Sequence, residues 1–487
     1  MDNNNQIVIQ KFLMRYQPLF NWSLLVLIIA GIFMYILSAT TFLVGFDGFF
    51  HIKYSQILGK EFFIDKLPWL QETIHKASFR DHHMLWHYLL VPFAFGDLIQ
   101  GGQRAVLVSV IFLGLGLYTV LLKSEIKFPL LWTVTALLSS YPFLFRMSML
   151  RVQSVSLTFL LILFLFYQQK RYMGIYILTI LYVWLYDGFP MFLVFSILFA
   201  ISGRVFEKTW DLKIIWYCLG GIITGMIVNP YFPENISSLL YNASRSIFLN
   251  VEGIKLGNEW SPYSSWALVK NSVPAFILLV ASIITLALKK KITTHQFSAL
   301  LVNILFLVLT FKSRRFIEYW PVFSVLSAAL LLGKELSKKA IIIGFLLLAP
   351  LLVNNLNKAR GDVANTQSPL TYEGAAKWLK ANSKPGEIVF NADWDDFPFL
   401  FFYNSRNYYI VGLDPMYLYT YDNIKYRLYQ KITRGKLKNP ARVIKDKFHA
   451  RYVFLDSHHK SLYRKLKKDD LTRQVYQGIS SSVFEIR

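Results

Sequence analysis

Apolar runs of membrane-spanning length recur along most of this 487-residue chain, and they constrain its fold more than any other feature. Crossing a bilayer core takes about 20 apolar residues in a helix. Inside lipid every backbone polar group must be satisfied within helices or closed barrels. Such runs occupy 22–44, 104–122, 128–145, 152–168, 172–186, 188–203, 214–230, 272–288, 296–311, 316–333 and 340–356. They predict a polytopic α-helical membrane protein with about eleven transmembrane helices. Only 17% of the residues are charged and 54% are hydrophobic, whereas soluble domains carry ~25% charged residues. The first run is long and lacks a small-residue cleavage site, so it reads as a retained signal anchor.

Loop charge sets the topology. The basic loops 123–127, 168–171, 204–213, 289–291 and 334–339 fall on one side, together with Lys11 and Arg15. Short basic loops stay cytoplasmic. The opposite side then receives the loops 45–103 and 229–271 and the whole tail. This divides the chain into a transmembrane domain, 1–356, and an extracytoplasmic α/β domain, 357–487. Within the tail, strands are expected at 387–390, 408–411 and 451–455, with helices at 371–382, 421–433 and 459–467. Met84 to Phe95 is apolar but short, and reads as an interfacial or re-entrant helix. The net charge of +23 lies largely in short loops, where it meets anionic lipid, and the rest lies in the tail. Nucleic acid is therefore not an expected partner. The single cysteine, Cys218, lies in an apolar run and has no second thiol for an internal disulfide.

The unusual polar residues gather at the outer mouth and in the outer loops. Ionised side chains in apolar segments cost about 2.5–3.5 kcal/mol on insertion scales, so those at span ends call for a reason. Asp47 follows the first span, in Gly45-Phe46-Asp47-Gly48, with His51 one turn later. A carboxylate there suits a metal ligand, an acceptor-orienting group or a general base; the bland reading is a helix-end residue. The same loop carries His75, His82, His83 and His87. His83 and His87 share a helical face and Asp81 offers an oxygen, which suits metal, although solvated histidines fit as well. Asp81 and His82 also suit phosphate or acceptor binding.

Glu259 lies in the aromatic stretch Asn258-Glu259-Trp260-Ser261-Pro262-Tyr263, either a site residue or an incidental acid in an interfacial anchor. Lys312, Arg314 and Arg315 run against the charge rule at the outer start of a span. Guanidinium groups grip phosphate oxygens in pairs, which points to a phosphate or diphosphate; pairing of Arg315 with Glu318 is the bland alternative. Arg146, Arg151 and Gln153 mark another outer mouth, as headgroup binders or snorkelling side chains. Asp187 is either a cap or a site residue. Asp393, Trp394, Asp395 and Asp396 head the tail domain, as helix caps or substrate contacts.

Taken in order, these motifs resemble the catalytic subunit of oligosaccharyltransferase and its prokaryotic relatives, membrane glycosyltransferases of GT-C type. Asp47 matches the family's first-loop acid, Glu259 its loop glutamate, and Arg315-Phe316 its Arg-Phe pair. Asp393-Trp394-Asp395-Asp396 is similar to its Trp-Trp-Asp-Tyr-Gly signature. Two departures stand out. The second-loop acid pair is replaced by Met149-Leu150-Arg151-Val152-Gln153, and the signature has lost a Trp and its Tyr-Gly.

The resemblance implies a GT-C fold and transfer of a sugar or glycan from a polyprenyl-phosphate or diphosphate carrier. It places the enzyme in the cytoplasmic (inner) membrane of a prokaryote, among membrane lipids. The acceptor, on the outer face, would be a protein, a lipid or a polysaccharide. Asp47 and Glu259 would be catalytic, and would hold Mg²⁺ or Mn²⁺ if the reaction uses one; the departures leave a metal-independent reaction open. Arg314, Arg315, Lys312 and Arg151 would bind the donor phosphate. His51, Asp81, His82, Trp394 and Asp395 would bind the acceptor. A surface-polysaccharide ligase or polymerase, and a non-catalytic transporter or binder of lipid-linked glycans, remain as alternatives.

Overall fold

The computed structural model describes residues 3–237, 239 and 257–487, so the middle of the loop 229–271 lies outside the described residues. The chain divides into two compact units. A helical unit comprises Met1–Thr41, Gln103–Val228 and Gly257–Asn365. A sheet-bearing unit comprises Phe42–Gly102, Asn229–Leu256 and Thr366–Arg487.

The apolar runs of the helical unit form helices, but not all of spanning length. Leu19–Leu37, Leu98–Lys123, Thr294–Lys312 and Lys338–Ala364 are long and apolar enough to cross a membrane. Ser265–Asn271 and Val273–Leu288 together make a fifth candidate, bent by 93°. The remaining runs form shorter apolar helices such as Gln153–Gln168, Tyr172–Leu185 and Lys213–Ile227. At 1.5 Å per residue, helices of 14 to 17 residues reach only ~21–26 Å.

The run 128–145 breaks for a local reason. Pro129–Leu138 ends before Ser140, whose hydroxyl accepts from the Phe143 amide, and Pro142 sits in the first turn of a new helix, Tyr141–Met147. That break sets Arg146 near the end of a short helix rather than inside a span.

Close packing fixes the short helices. A Cβ at Gly221 would lie 2.7 Å from both the Tyr176 carbonyl oxygen and Thr179 Cβ, so Lys213–Ile227 approaches Tyr172–Leu185 as only glycine allows. Buried polar groups are tied across helices. Asn303 donates to Ser327 at 2.9 Å, and Asn355 to the Leu138 carbonyl at 3.0 Å.

The sheet-bearing unit holds five strands: β1 (Ile388–Asn391), β2 (Tyr408–Tyr409), β3 (Tyr452–Asp456), β4 (Thr472–Gln477) and β5 (Ser481–Ile486). Their order is β2-β1-β3-β5-β4. β1 pairs in parallel with β2 and β3; β5 pairs antiparallel with β3 and β4. Helices Leu370–Asn382, Asn423–Thr433 and Lys460–Lys467 stand where helical patterns were expected. The sequence did not point to β4 and β5. β4 is a polar, partly exposed strand, and its turn closes through Gly478 N–H to the Ser481 carbonyl at 2.8 Å. Phe390, Ile410, Ile444, Phe448, Val453 and Phe484 form its core.

The loop 45–103 belongs largely to this unit. Leu70 pairs in parallel with Tyr409, Gln71 N–H donating to the Tyr409 carbonyl at 2.8 Å, so the loop covers the β2 edge. Trp69 Nε1 donates to the Ser405 carbonyl at 2.7 Å, and Lys425 meets Glu72 at 2.8 Å. Phe49 of helix Asp47–Glu61 packs on Phe399 with ring centroids 4.8 Å apart. These contacts hold Asp47 and His51 on a rooted helix.

Candidate functional site

The helical unit gathers the charges expected at the outer mouth into one cluster. Arg146 comes from Tyr141–Met147, Arg151 from the turn before Gln153–Gln168, and Glu259 from the 3-10 turn Asn258–Trp260. Arg314, Arg315 and Glu318 come from the 3-10 segment Arg314–Glu318. Arg146 Nη2 donates to Glu259 Oε2 at 3.0 Å; Arg151 Nη1 reaches the same oxygen at 2.9 Å. Arg151 Nη2 lies 3.4 Å from Glu259 Oε1. Arg146 Nε also donates to Glu318, whose side chain is fully buried. Burial alone would raise the Glu259 carboxyl, but Arg151, Arg315 and Arg146 outweigh it and hold the group well below the usual carboxylate range.

Aromatic rings complete the frame. Arg314 lies over Tyr263 and Arg315 over Trp260, 5.3 and 5.1 Å from the ring centroids. Ser313 Oγ donates to the Glu259 carbonyl at 2.8 Å, tying the two loops together. Asp187 acts on Arg315 through space. Arg146, Arg151 and Arg315 thus act on Glu259, and Arg146 and Arg151 also reach Glu318. Arg315 Nε is buried with no acceptor among the described residues, and so is Gln153 Oε1 without a donor. A buried guanidinium N–H without an acceptor is costly, and an anionic oxygen is the group that would satisfy it. Lys312 stands exposed at the end of its helix.

This geometry bears on the expected metal. Both oxygens of Glu259 are engaged by guanidinium groups, and a dication would sit among arginines there. Glu259 fits an arginine partner, not a metal ligand. Asp47, its expected companion, belongs to the sheet-bearing unit.

In that unit Asp47 is the first residue of helix Asp47–Glu61, with His51 one turn on. His51 Nδ1 lies 2.8 Å from His87 Nε2, and His87 Nδ1 lies 2.6 Å from Asp81 Oδ2. Asp81 Oδ1 also accepts from the His83 amide at 2.9 Å. Asp81 and His87 are buried, so Asp81 orients a histidine pair and is remote from solvent. The facing nitrogens of His51 and His87 are at hydrogen-bond distance, closer than two donors on one tetrahedral ion, ~3.3 Å apart. The His83 and His87 pair read from helical spacing is thus replaced by a chain through His51. His82 packs edge-on to His83 at 4.1 Å.

A second cluster stands beyond the carboxyl ends of β1 and β3. Trp394 packs edge-on against Phe46. Asp396 opens helix Asp396–Tyr403 and accepts from the Asp393 amide at 3.0 Å, which fixes the preceding turn; no side chain caps the helix. Asp393 Oδ2 lies 3.4 Å from His459 Nε2, while His459 Nδ1 meets Asp456 Oδ1 at 2.9 Å. His458 also bonds Asp456, at 2.5 Å. Burial, with Asp395 and Asp456 nearby, pushes the Asp393 carboxyl up to about 6. Burial would raise Asp456 too, but its bonds to His459 and His458 hold it at about 2. Burial also raises Asp395 above its usual range. Sequence reasoning missed Asp456 and His459. The signal was present in Asp456-Ser457-His458-His459, which follows the third expected strand.

No family model and no curated protein matches the chain. Solved structures do. The archaeal oligosaccharyltransferase AglB from Archaeoglobus fulgidus, in complex with an inhibitory peptide and a dolichol-phosphate, aligns with TM-score 0.66 at 12% identity, over 93% of this chain and 72% of that one. ArnT from Cupriavidus metallidurans bound to undecaprenyl phosphate aligns with TM-score 0.60 at 11% identity, over 95% and 97%. The arabinofuranosyltransferase AftD from Mycobacteria aligns with TM-score 0.60 at 10% identity; this chain spans 40% of its length. The chain has the fold of the GT-C membrane glycosyltransferases.

Proposed function

We propose that this multi-pass membrane protein is a glycosyltransferase using a polyprenyl-phosphate or diphosphate sugar donor, working on the outer face of the cytoplasmic membrane. The arginine cluster carries the reading. It holds four guanidinium groups and a buried Arg315 Nε with no acceptor among the described residues. Such preorganised donors stabilise charge that develops on a leaving phosphate. Structural neighbours with dolichol-phosphate and undecaprenyl phosphate bound support a lipid-phosphate donor.

In this reading an acceptor hydroxyl or amide attacks the anomeric carbon and the bond from that carbon to the phosphate oxygen breaks. The phosphate leaves with the electron pair, into the field of Arg146, Arg151, Arg314 and Arg315. Asp47 takes the acceptor proton or orients the acceptor, with His51, Asp81 and His87 positioning it through their hydrogen-bond chain. Glu259 acts as a positioning residue that fixes Arg146 and Arg151. No step is routed through a metal, because Glu259 does not fit as a ligand. The acceptor is a protein, a lipid or a polysaccharide.

The test is mass spectrometry of surface glycoconjugates in a deletion strain complemented by wild type or by Asp47→Asn. Loss of one glycan class with the variant, at normal protein level, supports the enzyme and identifies the acceptor. Unchanged glycans at normal protein level reject Asp47 as catalytic and return the chain to a binding or transport role.

A further inference from the structure

We propose that the crevice beyond the carboxyl ends of β1 and β3 binds a transition-metal dication, with Asp393 Oδ2 and His459 Nε2 as direct ligands and Asp456 holding the imidazole. The assignment does not depend on the proposed transfer chemistry.

Topology provides the first reason. β1 leads to β2 on one side, and the chain then returns to β3 on the other side of β1, all three strands being parallel. Connections that leave in opposite directions open a crevice at the strand carboxyl ends, where open α/β sheets bind their ligands. Asp393 follows β1 by two residues, Asp456 ends β3, and His459 immediately precedes helix Lys460–Lys467.

Distance provides the second. Asp393 Oδ2 and His459 Nε2 lie 3.4 Å apart, at the outer limit of a hydrogen bond. Two donors bound at ~2.0–2.1 Å to one tetrahedral ion stand ~3.3–3.4 Å apart. The opposite ring nitrogen donates to Asp456 at 2.9 Å, which fixes the tautomer and turns the Nε2 lone pair toward Asp393. A carboxylate behind a metal-bound imidazole is the usual arrangement. One donor atom from each of Asp393, Asp456 and His459 lies within 4.8 Å of the others.

Access provides the third. Asp393 is 45% exposed while His459 is 12% exposed, so the remaining coordination positions face water. Mixed nitrogen and oxygen donors suit Zn²⁺ or Mn²⁺, whereas Mg²⁺ prefers oxygen alone.

Calorimetric titration of chelator-stripped, full-length protein in detergent with Zn²⁺, Mn²⁺ and Mg²⁺ tests the site. One saturable event per chain is expected for Zn²⁺ or Mn²⁺ and none for Mg²⁺. Asp393→Asn should weaken it at least tenfold, and Asp456→Asn about 10–100-fold. Asp393 is half-exposed on a loop, so its variant should keep the wild-type unfolding midpoint. Co²⁺ added to the wild type supplies a readout that needs no variant: ligand-field bands of an imidazole-bound ion. No saturable event, no Co²⁺ bands, or binding that survives Asp393→Asn but disappears in Asp47→Asn would overturn the assignment. In the first two cases His459 is simply an imidazolium bridging two carboxylates.

Discussion

Two charge clusters in this protein are built on opposite rules. In the helical unit, Arg146, Arg151 and Arg315 act on Glu259, Glu318 pairs with Arg146, and Arg314 lies over Tyr263. In the sheet-bearing unit, Asp393, Asp395, Asp396 and Asp456 crowd around His458 and His459, and the acids outnumber the bases. A carboxylate in the first cluster is held ionised by its neighbours; most in the second are pushed toward the neutral form. In our proposals the first cluster takes an anion and the second a cation.

The largest expected effect breaks the first cluster from inside. Glu318→Leu takes the fully buried carboxylate from Arg146 and leaves it Glu259 alone; removing one member of a buried pair costs up to about 3–5 kcal/mol. Thermal unfolding in detergent checks it; a loss under 1 kcal/mol would mean that water already solvates the arginine.

An isosteric pair then sharpens the contrast. Glu259→Gln loses charge-assisted bonds to two arginines and should cost about 1–3 kcal/mol. Asp395→Asn relieves like-charge crowding and should leave stability unchanged or slightly raised. Equal losses from both would erase the distinction.

Lowering pH separates the units in another way. Burial holds the His75 imidazole at about 3, below its ordinary 6.5. The unfolded chain therefore binds a proton first, and this part of the fold loses stability as pH falls from 6.5 toward 3. Glu259 is depressed below 4.5, so its contribution is intact above that value and fades only well below it. From pH 7 to 5, hydrogen exchange should quicken around Leu67 and His75 and stay constant from Gly257 to Tyr263. The smallest effect is a control: Arg442 and Asp446 form an exposed pair one helical turn apart, and Asp446→Asn should change stability by no more than about 0.5 kcal/mol.

What could be read from the sequence follows the range of each interaction. Apolar runs and three of the five tail strands were legible because periodicity is local, although Ser140 and Pro142 broke one run into two helices. The cluster's cationic residues were legible because they run against the charge rule in the expected topology. Their partners were not. Glu259 meets Arg146 across 113 residues and Glu318 meets Arg146 across 172, and separations of that kind leave no local trace. The Trp69 to Glu72 segment was equally silent, since it becomes strand-like only by pairing with Tyr409. Asp393 and His459 meet because β1 and β3 lie side by side, which no spacing reveals.

Binding of undecaprenyl phosphate to the purified protein, followed by native mass spectrometry for wild type and Arg315→Gln, tests the reading of the arginine cluster most directly. If the cluster holds the donor phosphate, wild type binds the phosphate and not undecaprenol, and Arg315→Gln, still folded by thermal unfolding, weakens binding at least tenfold. Equal binding by the variant, or equal binding of the phosphate-free alcohol, would contradict it.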